Sequence, residues 1–483
     1  MESINQLLHF FPLIIVTIGG LVVMMVDAFT TDKRKLYYLS SGFLIVAFIA
    51  SIADVFGPSG EAFYGMAIYG GTSAMGGVIV LLGTLFVVLL CKEYLLAIDH
   101  HVGEVYSLIL FSTVGMLVLV AANDLVTLFL GVETMSIALY VLAGLVKRGK
   151  EGVEAALKYF LLGAFATGFF LYGIALLYGA AESTSLAAVA AVEDHSVIYW
   201  AGLALLLVGI FFKISAVPFH MWTPDVYQGA PTLITAYMAT ASKAAVVVAL
   251  VILLGRAFPD VHSEWTQVFQ VFAILTMILG NLVALAQDNM KRLLAYSSIA
   301  HVGYIMVGLA AGTTAGYSGV MYYLFAYTLM NVGAFGVVSY YEQQKGLDFT
   351  YMSNYGGLGY KQPLFGVAMV VFMLSLAGIP PFAGFIGKYQ VFAAAVYEGY
   401  IGLVLVGVIT SVIGVYYYIR VLVYLYMKEP ETDELFVQPG VIYKSAILVL
   451  AIATVYFGVQ PGDLSDILTQ GFEQLQITAS VDR

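Results

Sequence analysis

Apolar runs of about 20 residues recur from one end of this chain to the other, each long enough to cross a roughly 30 Å hydrocarbon core as a helix. Fourteen spans are predicted. They begin near Leu7, Leu36, Met75, Val105, Leu125, Ala155, Ile198, Thr232, Trp265, Leu293, Gly319, Leu364, Gly402 and Val441. Two of them carry prolines where a helix would run on, in ISAVPFHMWTP around Pro218 and LAGIPPFAGFIGK around Pro380. Proline removes a backbone donor and clashes with the preceding turn. In a bilayer such a break survives only where neighbouring helices, polar side chains or water satisfy the freed carbonyls.

Pro218 and Pro380 are 162 residues apart, and a similar offset of 164 relates Lys158 in KYFLLGAF to Tyr322 in MYYLFAY. Five spans separate the copies, so the second crosses the membrane in the opposite sense. Broken helices near the midplane recur in transporters built this way. The pattern predicts an all-α polytopic protein with inverted five-helix repeats over spans 4–8 and 9–13, broken in spans 7 and 12. Residues 1–100 supply three leading helices, 101–260 and 261–430 the repeats, and 431–483 the last helix and a tail. The tail places Leu464, Ile467, Leu468, Phe472 and Leu475 at helical spacing, for the outer surface or a neighbouring subunit.

Composition agrees. Of 483 residues 61% are hydrophobic and 10% charged, against about 25% charged in an ordinary globular chain. The charges also set an orientation. Of the 20 basic residues, 13 fall in loops after odd-numbered spans, among them Lys33, Lys92, Lys147, Arg148 and Lys291. Only Arg256 and Arg483 follow even-numbered spans, and the remaining five lie within spans. The positive-inside rule puts odd loops in the cytoplasm and both termini outside. The first span lacks a basic n-region and a cleavage site, and is read as a membrane helix rather than a signal peptide.

One cysteine, Cys91, rules out the four-thiolate site of an iron–sulfur cluster, and the seven scattered histidines form no zinc motif. GFIGK before Tyr389 lacks the glycine spacing and Ser/Thr of a phosphate loop. The chain is expected to bind neither nucleotide nor redox metal. Its energy must come from partners or an ion gradient.

The chemistry therefore rests on ionisable residues at membrane depth. Glu133, Lys213, Lys243 and Lys388 sit inside otherwise apolar spans, where one such group costs about 2.5–3.5 kcal/mol on insertion scales. An ion or proton path is the default reading. Glu133 shares a face with Ser136, Ile137 and Tyr140. It is either a structural acid bonded to a neighbouring helix or the charge partner of a lysine. Burial disfavours an ammonium and a nearby carboxylate restores it, so motion of Glu133 relative to Lys213 would load or unload a proton; a static ion pair is the alternative. Lys158 lies near the cytoplasmic end, as a snorkelling anchor or a relay member, and Arg420 is expected to snorkel. His301 shares a face with Ser297, Ser298 and Tyr304, suiting a water-linked relay as well as a satisfied interior histidine. His220 and Asp225, in PFHMWTPDVYQGAP, would form a proton access point or cap a turn; Asn331 is a weaker candidate.

FKISAVPFHMWTPDVYQGAPTLITAYMATASK, DNMKRLLAYSSIAHVGY and LSLAGIPPFAGFIGKYQVF together resemble the antiporter-like membrane subunits of respiratory complex I over nearly the full chain. The PFHMWTPDVYQGAP wording and a lysine rather than a glutamate at Lys388 favour the N-type branch, the counterpart of mitochondrial subunit 2. The resemblance implies a proton-translocating unit of the bacterial inner membrane with two inverted half-channels. The family's functional glutamate of span 5 falls on Glu133. Its lysines of spans 6, 7, 8 and 12 fall on Lys158, Lys213, Lys243 and Lys388. The partners implied are the other complex I subunits and lipid, with no nucleic acid. NADH and quinone would be used by the assembled complex, with no cofactor on this chain. Two rivals stand beside this reading: a cation/proton antiporter subunit of the same superfamily, and a structural scaffold whose buried charges only fix helix packing.

Overall fold

The computed structural model describes residues 7–145, 150–345, 347–429 and 438–481, so Lys147, Arg148 and Arg483 of the charge count lie outside the described residues. Among the described residues twelve helices are long and apolar enough to cross a membrane, and two shorter apolar ones stand where spans 4 and 12 were expected. In chain order the first six are α1 (Phe11–Phe29), α2 (Arg34–Val55), α3 (Gly71–Ala97), α4 (Glu104–Val120), α5 (Leu125–Ala143) and α6 (Lys150–Ala181). Span 7 is α7 (Val197–Ile214), a break, and the short α8 (Thr223–Gly229). Then come α9 (Thr232–Ala257), α10 (His262–Ala284), α11 (Met290–Ala311) and α12 (Thr314–Lys345). Span 12 is α13 (Pro363–Ala377), a second break, and α14 (Ala383–Tyr397). The bundle closes with α15 (Ile401–Met427), α16 (Val441–Val459) and the tail helix α17 (Gly462–Val481). The described strands form one hairpin, β1 (Gly60–Ala62) and β2 (Ala67–Tyr69), in the loop between α2 and α3.

Both breaks are terminated by a left-handed residue, Ser215 at φ 68° and Gly378 at φ 80°. These caps lie 163 residues apart, which aligns Pro218 with Pro381 rather than Pro380. Other helix ends are set by side chains: Asp124 accepts the Val126 and Thr127 amides to start α5, and Asn289 accepts those of Lys291 and Arg292 to start α11. Such caps satisfy donors that a helix start leaves unpaired.

The most enclosed helices are α9, α11 and α12, each 94% buried, against 28% for α1 and 33% for α6 and α15. Close approach of α10 to α11 depends on Gly280 and Gly303, where a Cβ would meet the Ala300 and Met277 backbone nitrogens at 2.6 and 2.8 Å. Small residues at such contacts let helix backbones meet where lipid offers no hydrophobic drive to pack.

Polar contacts gather at the two ends and respect the alternation of loops. At one end, Asn289 donates to Thr350, the Gly440 amide to Glu93, and Arg292 to Asp225. At the other, Arg256 holds Glu61 of the hairpin and Asn123. The tail helix lies at that second end against its own chain. Gln390 donates to Ser465, Ser318 bonds Thr469, and Leu468 and Phe472 are buried.

Candidate functional site

Each of the three deep lysines has a serine hydroxyl at hydrogen-bond distance and a tyrosine beside it, which Lys213 meets at the hydroxyl and Lys243 and Lys388 meet at the ring. Lys213, in the last turn of α7 before the break, donates to Ser136 Oγ (2.7 Å) and Tyr140 Oη (3.1 Å) of α5, with its Nζ 5.4 Å from the Tyr140 ring. Lys243 donates to Ser298 Oγ at 2.6 Å and lies 5.6 Å from the Tyr227 ring. Lys388 donates to Ser411 Oγ at 2.9 Å and lies 4.8 Å from the Tyr304 ring. All three are at most 7% exposed. A hydroxyl accepts from an ammonium and donates to a neutral amine, and a ring face favours the cation without fixing it as a second charge would. The pattern is suited to a lysine that changes protonation state.

The breaks do different work at the two sites. After α13, the freed carbonyls of Leu376 and Ala377 accept from Lys388 Nζ at 3.1 and 3.0 Å, so the lysine itself closes the broken helix. After α7, the Phe212 carbonyl accepts from Trp222 Nε1 instead, which leaves Lys213 to α5. In α9 a π turn over Met238–Ser242 immediately precedes Lys243. Such bulges are frequent at functional sites because they re-aim the following side chain.

Between Lys243 and Lys388 runs α11. Ser298 accepts from Lys243. One turn on, His301 bonds Tyr323 Oη through Nδ1 (2.7 Å) and Tyr418 Oη through Nε2 (3.0 Å). Tyr418 also bonds Ser297 (2.5 Å). A further turn on, Tyr304 accepts from Asn281 and underlies Lys388. Three side chains spaced three residues apart on a single enclosed helix, Ser298, His301 and Tyr304, therefore lie between two lysines. Tyr418, Tyr323, Tyr227 and Ser411 escaped sequence reading. Single hydroxyls in apolar helices look like ordinary interior residues until a partner faces them.

Of the two contacts expected for the acid, the structure shows the one to a neighbouring helix. Glu133 accepts from Thr167 Oγ1 of α6 at 2.8 Å, and among the described residues no ion pair joins it to Lys213. Ser136 and Tyr140 meet the lysine, while Ile137, 59% exposed, points outward. Glu133 is thus bonded to a neighbouring helix and separated from Lys213 by a turn of its own. Lys158 belongs to a different cluster. It pairs with Glu154 and with Asp225 of α8, both at 2.6 Å, and Arg292 takes the second Asp225 oxygen at 2.9 Å. His220 lies half-buried within the first break and makes no hydrogen bond to Glu133 or to Lys158, Lys213, Lys243 or Lys388 among the described residues. Asn331 donates to Tyr327, whose ring lies tilted against His301 at 5.1 Å between centroids. Arg420 reaches toward the loop before α11, where it donates to the Leu285 and Gln287 carbonyls and lies 3.7 Å from the exposed Asp288 carboxylate.

Residues 122–414 match the family described as NADH:quinone oxidoreductase/Mrp antiporter, TM. The chain is 47% identical to NADH-quinone oxidoreductase subunit N of Salinibacter ruber over 94% of its length and 93% of that protein. It is 45% identical to the subunit N of Trichlorobacter lovleyi over 87% and 88%. Among solved structures, a chain of respiratory complex I from Thermus thermophilus aligns at 34% identity with a TM-score of 0.83, covering 95% of this chain and 99% of that one. A chain of the Mrp complex from Dietzia sp. aligns at 21% identity with a TM-score of 0.87 over 99% of each, a likeness of fold alone.

Proposed function

This chain belongs to the NADH:quinone oxidoreductase/Mrp antiporter membrane family, among the subunit N proteins, and we propose that it is a proton-translocating subunit of a bacterial NADH:quinone oxidoreductase. It carries no redox step of its own. NADH is oxidised and quinone reduced on other subunits of the assembly, and the chain moves protons across the inner membrane. Its two halves, 101–260 and 261–430, act as inverted half-channels joined at α11, and both termini lie outside the cytoplasm.

The observation that carries this reading is the repeated serine–lysine–tyrosine arrangement at Lys213, Lys243 and Lys388. Protons enter beside the first break, pass Lys213 and Lys243, follow Ser298, His301 and Tyr304, and leave through Lys388. Glu133 and Lys158 set the field in which Lys213 gains and loses its proton, and His220 serves the access side. Each proton moved outward against the membrane potential requires about 2.3 kcal/mol per 100 mV.

The test is NADH-driven proton uptake by inverted membrane vesicles carrying Lys213→Ala, with NADH oxidation and assembled complex quantified alongside. Reduced pumping with assembly intact is expected. Normal pumping per NADH at a normal rate would make Lys213 structural and defeat the reading. Sodium–proton exchange without NADH would favour an antiporter subunit instead.

A further inference from the structure

Glu342 is fully buried near the end of α12, at a junction of four helices that the route above does not use. Its carboxyl accepts from the Thr232 hydroxyl at the start of α9 and from Tyr94 Oη of α3 at 3.3 Å. The Lys291 ammonium, 1% exposed in the first turn of α11, acts on it electrostatically and donates to the Ala230 carbonyl at 2.6 Å. Removing an acid and a base from water is unfavourable by several kcal/mol per ion before their attraction is counted, so hydrophobic packing would join these helices at lower free energy.

The junction shares α9 and α11 with the lysine path. On α11, Lys291 and Ser298 are seven residues apart, two turns on one face, or about 10 Å along the axis. On α9, Thr232 and Lys243 are eleven residues apart, about 16 Å along the axis, with the π turn over Met238–Ser242 between them. Between them lie Ala236 and Ala239 of α9 and Leu294 and Ala295 of α11, all fully buried. The two helices that hold Glu342 at one end thus hold the Lys243–Ser298 hydrogen bond further in.

We propose that Glu342, with Lys291 beside it, is a further proton-carrying group of this subunit, accepting protons at the end where α3, α9, α11 and α12 meet and passing them to Lys243. This rests on the proton-translocating reading of the chain. The step is a proton transfer only: the carboxylate takes a proton, Lys291 offsets the charge left when it departs, and the neutral amine of Lys243 receives it through water.

Glu342→Gln keeps the side chain's shape and removes its charge. Inverted vesicles with this variant, in the complete complex, are compared with Lys213→Ala for NADH-driven proton uptake per assembled complex. A severalfold fall for Glu342→Gln with assembly retained is expected. Unchanged uptake overturns the proposal. If Lys291, left without its counter-charge, prevents assembly, the double variant Lys291→Met/Glu342→Gln removes both charges. Restored assembly with low uptake supports the proton-carrying role; restored assembly with normal uptake, or no assembly of either variant, identifies a static strut and overturns it. Loss in Lys213→Ala with normal uptake in Glu342→Gln rejects this proposal alone, whereas normal uptake in both rejects the reading beneath it.

Discussion

Lys243 and Ser298 are joined by a 2.6 Å hydrogen bond deep in the bundle, the first from the helix after the first break and the second from the helix that leads toward Lys388. Through this contact the two halves of the chain share one polar line. A hydrogen bond to a charged group contributes about 1.5–3 kcal/mol. Ser298→Ala is expected to slow NADH-driven proton uptake severalfold at normal assembly, and Ser298→Thr to restore most of it. Equal rates for the alanine and threonine variants would remove Ser298 from the path.

Lys388 serves both the line and the break. Lys388→Met leaves the Leu376 and Ala377 carbonyls without their donor, at about 1–3 kcal/mol for each buried group left unsatisfied. The variant is expected to lose pumping and to inactivate at lower temperature in detergent. An unchanged inactivation midpoint would show that the lysine does not close the helix.

Tyr418 joins Ser297 and His301. Tyr418→Phe removes one hydroxyl and almost no volume, so assembly is expected to be unaffected and proton uptake reduced. Combined with His301→Gln it should add little further loss, because both act on one hydrogen-bonded line. Independent, multiplying losses would separate the two.

Ionic clusters at the two ends should respond differently. Lys158 and Asp225 are 39% and 36% exposed at their side chains, and pairs this open contribute about 0–1 kcal/mol. Arg256 is 8% exposed, holds Glu61, itself 31% exposed, and donates to Asn123, so its loss leaves two polar partners without their donor, at about 1–3 kcal/mol for each one that is buried. Thermal inactivation should move little in Asp225→Asn and markedly in Arg256→Ala. The reverse order would contradict the burial argument.

At the second break, a Cβ on Gly384 would stand 2.0 Å from the Ser375 carbonyl oxygen, and its amide donates to Ser375 Oγ at 3.1 Å. Gly384→Ala must push α14 away from α13, at about 1–3 kcal/mol for an overpacked interior. Less assembled complex on native gels is the expected result; wild-type amounts would mean that the break yields.

The succession of spans, the two breaks and the deep lysines were legible from sequence because lipid imposes a length on every helix and a penalty on every charge, and both are local properties of the chain. Described helices stand at all the expected positions, down to the short ones at spans 4 and 12. Ser297, Ser298, His301 and Tyr304 could be placed on one face because helical periodicity is also local. Partners are not local. Nothing in the sequence sets Lys158 against Asp225 rather than Lys213, gives Glu133 to Thr167, or brings Ser411 and Tyr304 to Lys388. Those pairings depend on how helices far apart in the chain rotate and cross, and that is fixed by the packing of whole faces, such as the glycine-mediated approach of α10 to α11. The sequence alone determined where charge enters the membrane; only the tertiary structure decided what each charge meets there.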